Sequence, residues 1–153
     1  MKIKVELDEQ LKEEEVIIRC RSLTREVQEI QKAVSELTSK KQGFAFYKGE
    51  TEYYLPLEAI LFFETEEKVV CAHTKDQVYQ VRHRLYELEE LLPGYFMRVS
   101  KSTILNTDQV FSISKNLAAS SVVEFMFTHK QVYVSRHYYK ALKLKLEEKR
   151  NLR

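Results

Sequence analysis

Apolar and charged residues alternate through residues 2–8, with Ile3, Val5 and Leu7 on one face. That two-residue period predicts a half-buried strand. Residues 16–20 read as a second short strand. The period then changes. Leu23, Val27, Ile30, Val34 and Leu37 recur at spacings of four, three, four and three, the seam of an amphipathic helix with Arg, Glu, Gln and Lys outside. Ser22 or Thr24 is placed to cap its start by accepting a backbone N–H. Two heptads are too few for an independent coiled coil. The seam therefore either docks on the protein's own sheet or makes a dimer or partner contact. Residues 39–43 are polar and read as a linker.

Past residue 43 the pattern becomes a series of short strands. Runs 44–48 and 52–55 flank Gly49-Glu50, a hairpin turn. Runs 57–64, 68–74 and 77–81 follow. Residues 83–92 read as a helix, with Leu85, Leu88, Leu91 and Leu92 apolar and Pro93-Gly94 ending it. Runs 110–114, 122–127 and 131–135 are further strands. Residues 136–149 read as a helix that places Ala141, Leu142, Leu144 and Leu146 among basic residues. The expected fold is mainly β, built of small antiparallel sheets, with an N-terminal β-β-α extension (1–42) and a C-terminal helix closing the main domain (43–153).

Length and charge narrow the function. A chain of 153 residues with 44% hydrophobic content supports one core, or one core and a small appendage. Its start alternates charge and lacks the apolar run of a signal peptide. No stretch approaches the roughly 18 apolar residues of a spanning helix. Cys20 and Cys71 are far apart and lack metal-ligand spacing, so two reduced thiols and a cytoplasmic protein are expected. The charge is uneven. Residues 1–40 carry eight basic and nine acidic side chains, and residues 41–92 carry six and ten. Residues 93–143 carry seven and two. In that basic stretch Lys and Arg alternate with Ser, Thr and Asn at the ends of short β-type runs. Such a set suits a polyanion: cations engage phosphates while hydroxyls and amides donate to phosphates or base edges.

Enzyme chemistry finds little support. Ser112-Ile113-Ser114-Lys115 matches Ser-x-x-Lys without the accompanying motifs. His73, His83, His129 and His137 show no metal-ligand spacing, and three glycines leave no phosphate-cradling loop. Glu64, Glu66 and Glu67 read as a solvated turn. No nucleophile, base and orienting group assemble, so no enzyme, no cofactor, no metal and no small-molecule substrate are expected.

Phe96, then Arg98-Val99-Ser100-Lys101-Ser102-Thr103-Ile104-Leu105-Asn106, resembles the central signature of the LytTR family of bacterial DNA-binding domains. Pro56-Leu57-Glu58-Ala59-Ile60-Leu61-Phe62-Phe63-Glu64 is similar to that family's early strand. Residues 132–142 resemble its closing Val-Ser-Arg-x-Tyr-x-x-Leu element. The three segments occur in family order across about residues 43–146. Ser100 stands where the family often has His, and Thr128-His129-Lys130 replaces an Asn-Gly-type turn.

The resemblance implies a transcriptional regulator whose loops and strand ends enter successive major grooves of double-stranded DNA bearing repeated half-sites. Carried over by position, the contacts are the turn at 65–68 with Lys68, then Arg98, Ser100, Lys101 and Ser102, then Ser135, Arg136, His137 and Lys140. Asn106 is expected to hold a turn rather than read a base. With no counterpart of the family's receiver domain in this sequence, the resemblance is to stand-alone regulators, some held by a membrane-bound inhibitor. The Leu23–Leu37 seam is then a place for homodimerisation or inhibitor docking. A different class of reading is a protein-interaction module whose basic face meets an acidic partner.

Overall fold

The computed structural model describes residues 1–12, 14–41, 44–115 and 120–151, with the side chains of 38–41 outside that description. A 17-residue helix, α1 (Arg25–Lys41), precedes the first strand. Two strands then form a hairpin, β1 (Phe46–Lys48) and β2 (Thr51–Tyr53), turned by Gly49 at φ +58°. A meander follows of β3 (Phe62–Glu66), β4 (Val69–His73) and β5 (Val78–Val81). The short helix α2 (Leu85–Leu91) leads to β6 (Phe96–Arg98) and β7 (Thr103–Asn106). Three strands, β8 (Val110–Lys115), β9 (Ser121–Phe125) and β10 (Gln131–Val134), precede α3 (Arg136–Asn151).

Strands β2-β1-β5-β4-β3-β7-β6 make one sheet, and β10-β9-β8 a second, with every pairing antiparallel. The side-chain alternation of the large sheet splits the core in two. Phe63 pairs with Ile104 and faces one cluster with Phe46, Leu85 and Leu88, under α2. Phe62 pairs with Leu105 and faces the other, with Val123, Phe125, Val134 and Leu142, under the small sheet and α3. A one-residue slip in β3 would exchange the two faces, so both cores fix its register. The mainly β, antiparallel fold with its closing helix is the one the sequence pattern predicts.

Some expectations need correction. Among the described residues before α1 there is no strand at 2–8 or 16–20. A strand exists only where its N–H and C=O groups meet a neighbouring edge, and no edge of either sheet receives these segments. Ile3, Val5 and Leu7 are accordingly 93%, 78% and 94% exposed. The stretch expected as linker is helical as far as Lys41, and Gln42 and Gly43 lie outside the described residues. The strand expected at 57–64 starts late, because Pro56 opens a 3-10 turn (Leu57–Ala59) first, in which Ala59 N–H donates to the Pro56 carbonyl at 3.0 Å. Strands β6 and β7 are too short for periodicity to reveal.

Helix α1 is capped by Thr24, whose Oγ1 accepts from Val27 N–H at 3.4 Å. Its seam is divided. Val27 is buried and Ile30 and Val34 are half-buried, while Leu23 and Leu37 are exposed. The helix lies beside the Gly94-Tyr95 turn and the last turns of α3, with Gln31, Lys32, Tyr95 and Lys145 lining one cavity. Glu36 joins Glu58 and Asp108 around the Tyr95 hydroxyl, whose pKa is pushed up to about 12, chiefly by burial. The middle of the seam is thus spent on the protein's own fold, as the burial of Val27 and the partial burial of Ile30 and Val34 show. No helix among the described residues is long and apolar enough to cross a membrane.

Candidate nucleic-acid interface

Two backbone hydrogen bonds bring the three expected contact segments together. Thr65 N–H, in the arm of the β3–β4 hairpin, donates to the Ser102 carbonyl at 2.8 Å. Ser135 N–H, at the start of α3, donates to the Val99 carbonyl at 2.9 Å. The loop between β6 and β7 therefore sits between the hairpin and the N-terminus of α3. Segments far apart in sequence become one surface.

The loop itself is closely built. Val99 N–H donates to the Thr103 carbonyl at 3.0 Å, and Ser102 N–H to Ser100 Oγ at 3.2 Å. Ser102 Oγ lies 3.4 Å from both Ser100 Oγ and Thr103 Oγ1. Arg98, expected as a contact to the duplex, is turned toward the protein. Its Nε donates to the Ser100 carbonyl at 2.7 Å, Nη2 donates to the Lys101 carbonyl, and Nη1 meets Glu89 Oε2 of α2 at 2.9 Å. With 19% of its side chain exposed, Arg98 clamps the loop. The carbonyls of Ser100, Lys101 and Ser102 are all taken by protein donors. Such carbonyls would repel a phosphate if they faced it. Lys101 stands exposed at the tip.

At the second edge of the surface, the Ser135 carbonyl accepts from the N–H groups of Tyr138 and Tyr139 at 3.0 and 3.1 Å, so Ser135 starts the helix. Arg136, His137 and Lys140 are exposed in its first turns, where the helix dipole adds positive potential. Lys68 is exposed in the two-residue turn of the hairpin, beside Glu67 at φ +57°.

Three further cations, none expected from sequence as a contact to the duplex, come toward this end of the molecule. Val81 pairs with Val70, so exposed Arg82 follows the end of β5 near the β3–β4 turn, its guanidinium 4.2 Å over the Tyr47 ring, and exposed Arg84 starts α2 two residues on. Lys115 pairs with Ser121, and Ser121 with Val134, so Lys115 ends β8 at the same end of the small sheet as Ser135, with β9 between them. Its Nζ lies 4.9 Å from the Tyr139 ring centroid. Arg82 and Arg84 are hidden in the acidic tract 41–92, and register rather than composition would have found them.

Behind the hairpin, Glu66 Oε1 is 3.0 Å from His73 Nε2, and Lys130 Nζ is 3.4 Å from His73 Nδ1. A neutral imidazole fits both: Nε2–H donates to the carboxylate and Nδ1 accepts from the ammonium. Burial first, and Lys130 second, hold the His73 pKa below its ordinary value, while Glu66 opposes them. Burial also lowers the pKa of Lys130. Glu64 stands close to Glu66 and His73, but the ammonium already supplies this cluster with a cation. Asn106 is fully buried, with Nδ2 donating to the Ile60 carbonyl and Oδ1 accepting from Asp108 N–H, each at 3.0 Å. It holds a turn.

Residues 50–147 match the model of the LytTr DNA-binding domain. The chain is 30% identical over 148 residues to an uncharacterized HTH-type transcriptional regulator of Staphylococcus aureus strain bovine RF122 / ET3-1, covering 95% of this chain and 98% of that protein. The counterpart in strain MRSA252 is 29% identical over the same coverage. Among solved structures, the LytTr DNA-binding domain of a Bacillus cereus protein described as a methyl-accepting/DNA response regulator aligns with a TM-score of 0.61 at 20% identity. It covers 69% of this chain and 95% of that one, a likeness of fold. The relatives' names mention a helix-turn-helix. Here α2 and α3 are separated by five strands, and no two helices among the described residues are joined by a short turn. With a family match over most of its length and an antiparallel β fold to go with it, the chain belongs to the LytTR family of DNA-binding domains.

Proposed function

We propose that this protein is a sequence-specific transcriptional regulator that reads double-stranded DNA with loops and strand ends rather than a recognition helix. The observation that carries the reading is the pair of hydrogen bonds joining Val99 to Ser135 and Ser102 to Thr65. They gather Lys68, Lys101, Arg136 and Lys140 on one rigid end of the molecule. Lys101, at the loop tip, enters a major groove and donates to guanine O6/N7 or to a phosphate. Arg136, His137 and Lys140 engage phosphates at the start of α3, with Lys115 beside them. Arg82 and Arg84 extend the electrostatic footprint next to Lys68. Ser100 and Ser102 use their remaining hydroxyl capacity on the backbone or bases, and Arg98 acts by holding their loop in place. Residues 43–153 form the DNA-binding unit, and residues 1–42 serve self-association, so that a cytoplasmic homodimer meets two half-sites.

Selecting bound fragments from a pool of random duplexes tests this. Enrichment of a repeated half-site, spaced by about 10 base pairs or a multiple of it, is expected. Affinity should fall steeply with salt, by about one power per phosphate neutralised. A pool that shows no enrichment, bound with little salt dependence, overturns the reading.

A further inference from the structure

Residues 2–8 have the alternation of a strand but occupy no sheet edge, and their apolar side chains are almost fully exposed. Lys4 pairs with Glu6 along the arm. We propose that this arm pairs antiparallel with the same arm of a second copy of the chain, about a two-fold axis through Val5. The inference rests on the dimeric reading above and gives that dimer its interface.

The charges select this arrangement. In an antiparallel pair whose opposed residue numbers add up to ten, Lys2 faces Asp8 and Lys4 faces Glu6 on the polar side. On the other side Ile3 faces Leu7, and Val5 faces its own copy. Every polar pair is then of opposite sign and every apolar residue meets another. Shifting by two residues either way sets Lys4 against Lys4 or Glu6 against Glu6. An odd shift places charged residues opposite apolar ones. Parallel pairing in register sets each charge against itself, and a staggered parallel pair cannot close about a two-fold axis. Like charges directly opposite one another destabilise a sheet, and opposite charges stabilise it. One register survives, and it is self-complementary, as a two-fold interface requires.

Other apolar surface follows the arm. A two-stranded ribbon this short is marginal alone and needs an apolar cover. Leu11, Val16 and Ile17, 49%, 68% and 60% exposed, come next in the chain and supply it. Helix α1 is the weaker candidate for the same role, because Val27 is already buried within its own chain.

The test uses full-length protein carrying Cys20→Ser, since Cys20 is exposed. Val5→Cys in that background should form a disulfide between two copies under mild oxidation, because the proposed axis places both thiols face to face. Two charge variants complete it. Lys2→Glu with Lys4→Glu makes an all-acidic arm, and Glu6→Lys with Asp8→Lys an all-basic one. Each alone should self-associate on the order of tenfold more weakly than wild type, and mixing them should restore a one-to-one dimer. If either variant alone sediments as the wild-type dimer does, arm pairing is overturned while the dimeric reading stands. If wild type is a monomer both free and on a two-half-site duplex, and Val5→Cys forms no disulfide, both fail. DNA selection then still judges sequence-specific binding separately.

Discussion

Ser135 N–H donates to the Val99 carbonyl at 2.9 Å, so the start of α3 is bonded to the base of the Lys101 loop. Residues from the central and the closing segments of the family resemblance thereby share one rigid unit. Displacing either one displaces the other. The cations of α3 and the loop tip can then address one duplex in a fixed relative position, which separate flexible segments could not do without losing conformational entropy on binding.

Replacing Lys101 or Arg136 with Ala should each weaken specific binding by about 1–3 kcal/mol. The two should differ in kind. Arg136→Ala removes a phosphate contact, so it should weaken binding to all sequences alike and lower the salt slope by about one. Lys101→Ala should reduce the preference for the selected site over random duplex. Fluorescence anisotropy on both duplexes across a salt series measures this. If both variants match wild type, the assigned surface is wrong.

Arg98→Ala should impair binding about as much as Lys101→Ala, although the Arg98 guanidinium is turned toward the protein. Its guanidinium holds the carbonyls of Ser100 and Lys101 and meets Glu89. Without it the loop should lose definition, visible as faster amide exchange over residues 99–103. Because the two residues act through one loop, the double variant with Lys101→Ala should lose clearly less than the sum of the singles. Additive losses would instead show that Arg98 contacts DNA directly.

The elements that could be read from the chain alone are those whose pattern reports on burial. Strands β5, β9 and β10 alternate because each has one core face, β3 and β4 read as apolar runs because they face both cores, and α3 shows Leu142 at its inner side. Residues 2–8 carry the same alternation and form no strand within the chain, since period reports what a segment could bury and not whether a partner edge is present. The basic tract was visible by counting along the sequence. Arg82 and Arg84 were not, because they lie within the acidic tract 41–92 and only the pairing of β5 with β4 brings them toward the β3–β4 turn. Arg98 was assigned by position in a family signature, which records that a residue matters but not which way its side chain turns.

Asn106→Ala should cost on the order of 2–4 kcal/mol of stability, since it removes both side-chain hydrogen bonds of a fully buried residue and leaves the Ile60 carbonyl and Asp108 N–H without that partner. Denaturant unfolding measures it. DNA affinity per folded molecule should stay near wild type. A stable variant with lost sequence preference would reassign Asn106 to base reading.

Stability should fall as the pH drops from 7 toward 5.5, through His73. Its folded pKa lies below 6.5 because burial, and then Lys130, disfavour the imidazolium. The unfolded chain takes up the proton first, so the stability contributed by neutral His73 is present above about 6.5 and is lost as the pH falls toward the folded value. Glu64 has the opposite sign. Its raised pKa favours protonation in the folded state and acts at lower pH. Thermal melts of wild type and His73→Gln should therefore diverge least near pH 5.5. A wild-type melting temperature that is flat from pH 7 to 5.5 counts against a neutral buried His73.

Glu67 offers the sharpest local contrast. It occupies a left-handed backbone conformation, φ +57°, at the hairpin tip, a region that favours Gly or Asn. A carboxylate there also repels the phosphates that the neighbouring cations attract. Glu67→Asn should thus raise stability by a few tenths to about 1 kcal/mol and strengthen binding to random duplex at low salt. If glutamate is retained to accept a hydrogen bond from cytosine N4, the same substitution should reduce preference at one position of the half-site. Repeating the duplex selection with the variant separates the two effects. Loss of preference at a single C·G position assigns Glu67 to base reading, and an unchanged motif with tighter overall binding leaves it only an electrostatic role.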